Sequence, residues 1–450
     1  MEETARHIPA IALIDGEHYP DVTLDALRSL EESRGYRLEA LVFLGGTEKL
    51  ADITAFTFGG VPVYRGGGQV EDLRRALNKH GVDVVLDLSD EPVVGYRERF
   101  RLISESLAHG VSYRGADFFF EAPHRPRTCR RPSVGVWGSG KRVGKTALSG
   151  YMARYLAGKG ARPCVLTMGR GGPAEPELLE RPFEVDDEYL RRRVAQGRHA
   201  ASDHFEDAMM GQVVTVGCRR CGGGMAGEPF FSNVGEGALI ACGQDSDLVI
   251  FEGSGAAIPP VGVDAALLVL SAAQPNEYAL GYLGPYRLLI SDVIVITMCE
   301  DSLVSIEKLR KLVDGILSIN PEVEVVKTVF RPRPVGDLEG RKVFLASTAP
   351  SEAVSIQGRY LEEEYGAVMV GESSNLADRL RLEDDLRRAA EAEVLLTELK
   401  AAGVDTVSLF AERTGKELVY MENLPVAVDG SLEKAIDCLE VLARERFQGR

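Results

Sequence analysis

Apolar residues along this chain recur in short unbroken runs, separated by stretches in which they return every three or four positions. IALID at 11–15, LEALVFLGG at 38–46 and VDVVLDLSD at 82–90 are such runs, each closing on Gly or Asp. The segments between them, from about Leu24 to Ser33, EDLRRALNKH (71–80) and YRERFRLISESLAHG (96–110), carry helical spacing. A strand buried on both faces reads as a continuous apolar run, and its alternation with amphipathic helices predicts a parallel sheet covered on both sides. Residues 1–125 are therefore expected to form a small Rossmann-like α/β domain. Ligands of such sheets sit beyond the carboxyl ends of the strands. That rule marks Asp15, Glu17 and His18 after the first strand, and Asp87, Ser89 and Asp90 after a later one; the same residues serve equally as caps and turn formers.

A basic, proline-bearing stretch, APHRPRTCRRP at 122–132, reads as a linker. A second α/β domain is expected over 132–366, with strands at SVGVWG, PCVLTMG (163–169), DLVIFEGSG (247–255), AALLVLSA (265–272), SDVIVITM (291–298), VEVVKTVF (323–330) and VFLAST (343–348). The helix SLVSIEKLRKLVDGI fits between two of these. A small α+β appendage over 367–450 is expected to hold one long charged helix near 376–402, then strands near VDTVSLF and KELVYME. No period of 20–50 residues recurs, which argues against a solenoid.

The sharpest chemical signal is Gly138-Ser139-Gly140-Lys141-Arg142-Val143-Gly144-Lys145-Thr146-Ala147, lying between a strand and a helix. Glycines let the backbone curl so that successive N–H groups face an anion, and the helix adds its positive end. Lys145 is placed to meet β- and γ-phosphates, and the Thr146 hydroxyl to ligate magnesium. The generic Walker-A pattern wants Gly at 139, where this chain has Ser; with Gly138 as the first glycine, the loop is one residue longer. That spacing resembles dethiobiotin synthetase and its relatives, in the branch of P-loop proteins that includes metal-insertion ATPases and signal-recognition GTPases. Those relatives place an acidic residue and glycines after a strand, as Glu252 stands in DLVIFEGSGAA, and an acidic oxygen there suits magnesium or its water shell. Asp186 and Asp187 are further acidic candidates with nothing specific in their setting.

Two more glycine-rich elements bear arginines: Thr167-Met-Gly-Arg170-Gly-Gly-Pro, and Thr215-Val-Gly-Cys218-Arg219-Arg220-Cys221 followed by Gly-Gly-Gly. An arginine fork takes phosphate bidentately, so Arg170, Arg219 and Arg220 point to a second, anionic substrate beside the nucleotide. Arg331 and Arg333 in FRPRP are weaker candidates of the same kind. Cys218-x-x-Cys221 could be half of a zinc site or a redox pair, with His199 and His204 the nearest histidines.

Composition narrows the partners. Of 450 residues, 68 are acidic and 52 basic, a net charge of −16 that opposes bulk binding of nucleic acid or anionic lipid. Anionic ligands must then be held by local basic pockets. The longest apolar runs are too short to cross a bilayer, and MEETARHIPA is too acidic for a secretory signal. Seven cysteines without such a signal do not describe a disulfide framework; Cys164, Cys242 and Cys299 are expected to pack as small apolar residues in a cytoplasmic protein.

IALIDGEHYP, GSGKRVGKTA, the CRRCGGGMAG element and FEGSGAAIPP together resemble the cyclic 2,3-diphosphoglycerate synthetase family over nearly the whole chain. The resemblance implies a ligase that converts 2,3-bisphosphoglycerate, ATP and magnesium into cyclic 2,3-diphosphoglycerate, ADP and phosphate. Lys145, Thr146 and Glu252 would serve the ATP half. Arg170, Arg219 and Arg220 would serve the bisphosphoglycerate half, with His18 and Arg114 contributed from the first domain. A homodimer is expected from the habits of this branch. Two other readings stay open: a kinase that makes 2,3-bisphosphoglycerate from a monophosphoglycerate, and a nucleotide-dependent metallochaperone using Cys218 and Cys221.

Overall fold

In a computed structural model, which describes residues 7–49, 56–197, 203–399 and 403–450, the chain divides into two units. The first comprises Met1–His124, Asn276–Ile290 and Gly315–Pro321. Its strands are β1 (Ile8–Ile14), β2 (Tyr36–Phe43), β3 (Val63–Tyr64), β4 (Val84–Asp87), β5 (Ser112–Arg114) and β6 (Phe119–Phe120), in the order β3-β2-β1-β4-β5-β6. All pairs are parallel except β5–β6. This is the expected Rossmann-like sheet: the order reverses beside β1, where the unit's buried Ala10, Ala12 and Ile14 meet Leu27, Leu41 and Leu86. Residues 276–290, expected in the second domain, fold here. Their Tyr282 ring meets Phe100 edge to face, and Phe100 also touches Phe120.

The second unit comprises Arg125–Pro275, Ser291–Asp314 and Glu322–Arg450. Its strands are β7 (Ser133–Gly138), β8 (Pro163–Gly169), β9 (Glu177–Leu179), β10 (Val214–Cys221), β11 (Phe231–Ser232), β12 (Leu248–Glu252), β13 (Ala265–Ser271), β14 (Val293–Thr297), β15 (Glu324–Pro334), β16 (Lys342–Ala346), β17 (Val368–Ser373), β18 (Val394–Glu398) and β19 (Glu417–Asp429). They form one sheet ordered β11-β10-β8-β12-β7-β13-β14-β15-β19-β18-β16-β17, with β9 on β10. From β8 to β15 the pairing is parallel, and β19 runs antiparallel to β15. The C-terminal extension thus continues the sheet. Its last helix, Leu432–Gln448, lays Leu432, Ile436 and Leu439 on Val134, Leu267 and Val293 in the central core.

Three local expectations are corrected. The long helix near 376–402 is a short helix Arg379–Leu386, a 3-10 turn and then β18. Leu395 and Leu396 pair with Phe344 and Leu345, and that cross-strand burial overrides the helix propensity of an Ala/Glu/Leu-rich run. VDTVSLF is helical instead of a strand: a π turn over Gly403–Val407 leads into the helix Ser408–Thr414. Cys242 is not a free thiol; it is joined to Cys129 by a disulfide.

Candidate functional site

The second unit holds a cavity of about 680 Å³ at the carboxyl ends of its strands, where a doubly wound sheet places its ligands. The loop after β7 forms one wall. Gly144 has φ +94° and Arg142 φ +61°, left-handed conformations that curl the chain so that the helix Lys145–Gly158 starts at the cavity. Gly144 is required twice over, because a Cβ there would lie 2.3 Å from the Phe330 ring. Val143 is fully buried beneath the loop, and its carbonyl accepts from Thr297 Oγ1 at 2.9 Å. Ser139, standing where the generic pattern has Gly, donates from Oγ to Gln274 Oε1 at 2.8 Å. Of this loop, Lys141, Arg142, Gly144, Lys145, Thr146 and Ala147 line the cavity, and Gly138, Ser139, Gly140 and Val143 do not.

β12 runs beside β7, with Glu252 opposite Val136, and so delivers Glu252 to the start of that helix. Thr146 Oγ1 donates to Glu252 Oε1 at 2.7 Å, and Ser149 Oγ to Glu252 Oε2 at 2.7 Å. Behind them lies a residue that the sequence did not reveal. Asp207, on the helix Asp203–Gly211, is 1% exposed; it accepts from Thr167 Oγ1 and lies 3.3 Å from Ser149 Oγ. Burial raises both carboxyls. It acts most strongly on Asp207, where the charge of Glu252 adds to it, while Thr146 and Ser149 partly stabilise the Glu252 carboxylate. Of the two, Asp207 therefore holds its proton the more firmly. Asp203 and Glu206 of the same helix line the cavity. An acidic helix was the only trace of this cluster in the sequence.

The arginines fall into two groups. Arg170 lines the cavity. A Cβ on Gly255 would sit 2.7 Å from Arg170 Nη2 and 3.4 Å from Arg220 Nη2, so two guanidinium groups converge on the turn after β12. Arg220 donates to Ser254 O at 2.7 Å, and burial together with Arg170 lowers its pKa. CRRC, read in the sequence as part of a glycine-rich element, is the end of strand β10, and successive side chains of a strand face opposite sides. Arg219 accordingly turns away, its guanidinium 5.9 Å from the Phe231 ring centre; of the three candidate arginines only Arg170 lines the cavity, while Arg220 reaches the Ser254–Gly255 turn at its edge.

The same geometry separates the two thiols. Cys218 is fully buried, its thiol pushed up to about 12 by burial, while Cys221 is exposed. Residues three apart on a strand face opposite ways and cannot grip one ion. No group of three His, Cys, Asp or Glu among the described residues is arranged around a metal site. His204 lies instead against Glu177, and His199 lies outside the described residues.

Other candidates have local duties. Asp186 caps a helix by accepting from Tyr189 N at 2.7 Å, and Asp187 accepts from Tyr420 Oη at 2.7 Å. Arg331 pairs with Glu300, and Arg333 with Glu422. In the first unit, Asp15 accepts from Glu17 N and Asp90 N and pairs with His18 at 2.8 Å; Asp87 accepts from Ser89 N, Arg99 and Tyr113. Arg114 donates to Tyr36 Oη at 3.1 Å. His18 and Arg114 thus belong to the first unit, and the cavity is lined wholly by residues of the second.

The far part of the cavity comes from the end of the expected second domain, residues 348–357, together with the C-terminal extension; no candidate had been assigned to either stretch. Thr348 follows β16, Glu398 ends β18, and Thr348 Oγ1 donates to Glu398 Oε2 at 2.8 Å. Around them stand Ala349, Pro350, Ala353, Ile356 and Leu399, with Gln357 and Asn423. The strand-end rule applied to VFLAST would have found Thr348; the others depend on how the sheet is ordered.

Three domain models of the cyclic 2,3-diphosphoglycerate synthetase match: the N-terminal domain over residues 9–121, the P-loop domain over 133–329 and the C-terminal domain over 334–424. The cyclic 2,3-diphosphoglycerate synthetase of Rubrobacter xylanophilus is 49% identical over 441 residues, covering 97% of this chain and 98% of that one. The synthetase of the same name from Methanothermus fervidus is 44% identical over 450 residues, with 97% and 98% covered. Among solved structures, LpxK from Aquifex aeolicus in complex with ATP aligns at a TM-score of 0.39 and 13% identity, covering 72% of this chain and 90% of that one. So loose a likeness carries no argument about the site.

Proposed function

This chain belongs to the cyclic 2,3-diphosphoglycerate synthetase family, and on that footing we propose that it spends ATP, with magnesium, to close 2,3-bisphosphoglycerate into its cyclic phosphoanhydride. The products are cyclic 2,3-diphosphoglycerate, ADP and inorganic phosphate. The observation that carries this reading is the meeting of two anion-binding features in one place: the phosphate loop with its Thr146–Glu252 contact, and the Arg170 and Arg220 guanidinium groups converging on Gly255 after the same strand.

Ring closure joins two phosphates that repel each other, so one must first be activated. An oxygen of one substrate phosphate attacks the γ-phosphorus of ATP, and the bond to the β-phosphate breaks to release ADP. An oxygen of the other substrate phosphate then attacks the activated phosphorus. The P–O bond to the transferred group breaks, and inorganic phosphate leaves. Lys145 and the N–H groups at the start of its helix hold the β- and γ-phosphates in line. Arg170 and Arg220 hold the bisphosphate and offset the charge gathered as the polyanions approach. Glu252 and the Thr146 hydroxyl, both oxygen donors on adjacent elements, suit magnesium, which neutralises phosphate charge when bound. Asp207 keeps Glu252 in place without adding a second negative charge.

Phosphorus NMR tests the proposal. Incubation with ATP, magnesium and 2,3-bisphosphoglycerate is expected to give new upfield ring-phosphoanhydride signals in step with ADP and phosphate. Lys145→Ala is expected to slow that reaction by on the order of 100-fold or more. Conversion of a monophosphoglycerate to 2,3-bisphosphoglycerate, with no cyclic product, would overturn the cyclisation in favour of plain phosphoryl transfer.

A further inference from the structure

The cavity is sorted by chemistry along the sheet. On the β12 side of the phosphate loop stand Arg170 with Asp203, Glu206 and Glu252; on the other side, past β13, β14 and β15, residues 348–423 set Ala349, Pro350, Ala353, Ile356 and Leu399 beside Thr348, Gln357, Glu398 and Asn423. The way across is short. The Phe330 ring lies against Gly144, Pro332 two residues further on pairs with Asn423 of β19, and Asn423 touches Gln357. A polyphosphate gains nothing from Ile356 and Leu399, whereas a flat heteroaromatic ring does.

Gln357 supplies a polar element there. It is 4% exposed, and its Nε2 donates to Asn423 Oδ1 at 2.8 Å. Among the described residues nothing donates to Gln357 Oε1, a buried acceptor on a residue that lines the cavity. Buried acceptors are normally matched, so an unmatched one beside an apolar wall marks a place for a ligand donor. The exocyclic amine of adenine is such a donor. Guanine carries a carbonyl oxygen at the same ring position and would set acceptor against acceptor.

We propose that Gln357, bonded to Asn423, reads the base of the bound nucleotide and selects adenine over guanine. This rests on the reading of the phosphate loop as an ATP site and deepens it. The test is calorimetric binding of ATP, GTP, purine riboside triphosphate (which lacks the exocyclic amine) and inorganic tripolyphosphate to the full-length protein and to Gln357→Leu. The wild-type protein is expected to bind ATP about tenfold tighter than the riboside analogue or GTP. In Gln357→Leu that gap should shrink to about twofold or less, with tripolyphosphate binding unchanged, since the loop is untouched. Should the variant fail to fold, the analogue series on wild-type protein decides alone. Equal binding of ATP and the riboside analogue, or a gap that survives in folded Gln357→Leu, would sink the inference and leave the ATP site standing. Failure of every nucleotide to bind, or binding that Lys145→Ala does not weaken, would sink the parent reading instead.

Discussion

Asp207 shows how far a single side chain can be from its apparent chemistry. By its residue type it is an acid on an acidic helix; by its place it is a buried, neutral hydrogen-bonding group between Thr167, Ser149 and Glu252. Two carboxyls this close and this dry cannot both ionise. Asp207→Asn preserves size, neutrality and an acceptor for Thr167, so its unfolding free energy in urea is expected within about 1 kcal/mol of wild type. Asp207→Ala strands the Thr167 hydroxyl and should cost about 2–3 kcal/mol. Equal losses in both variants would mean that the folded protein holds Asp207 ionised. Cys218 carries a similar lesson: its type suggests a ligand, and burial makes it a small apolar residue.

Among the elements, β9 is held to the helix Asp203–Gly211 by polar contacts. Glu177 of β9 accepts from Arg193 Nη2 at 3.1 Å and lies 3.4 Å from His204 Nε2. The bond from His204 and the Arg193 guanidinium hold the Glu177 carboxyl at about 2, down from the ordinary 4.5. Burial lowers the pKa of His204, against the pull of the Glu177 carboxylate. A carboxyl with a depressed folded-state pKa stabilises the fold above its unfolded value, and that contribution is lost as pH falls through the folded one. Glu177→Gln should therefore melt below wild type at neutral pH, and the difference should close between about pH 4.5 and pH 2. A difference that stays constant across that window, followed by circular dichroism, would exclude the charge as its source.

At the scale of the whole chain, the C-terminal extension completes the central core and adds Leu399 and Asn423 to the cavity wall begun by residues 348–357. Leu432, Ile436 and Leu439 are each at most 1% exposed. At roughly 1.5–3 kcal/mol per buried aliphatic side chain, those three together contribute about 5–9 kcal/mol. That rivals the entire stability of an ordinary domain. A chain ending at residue 430 is expected to lose cooperative thermal unfolding; a truncated protein that kept the wild-type melting temperature would refute this. Charge also has to be read at this scale. A net −16 describes the molecule as a whole, while Lys141, Arg142, Lys145 and Arg170 are gathered at one cavity.

The sequence by itself determined what depends on neighbours along the chain. Strand–loop–helix punctuation fixed the phosphate loop, because backbone curl at Gly144 and the start of the next helix are local properties. Continuous apolar runs fixed the parallel strands, because burial on both faces leaves no polar alternation. Tertiary structure decided what depends on neighbours across the sheet. Residues 394–398, helical by composition, became β18 because Phe344 and Leu345 pair with them. Arg219 and Arg220, adjacent in sequence, turned to opposite faces because their segment is a strand. Asp207, Gln357 and Asn423 owe their surroundings to partners contributed by other elements, and no spacing along the chain encodes which groups a side chain will meet.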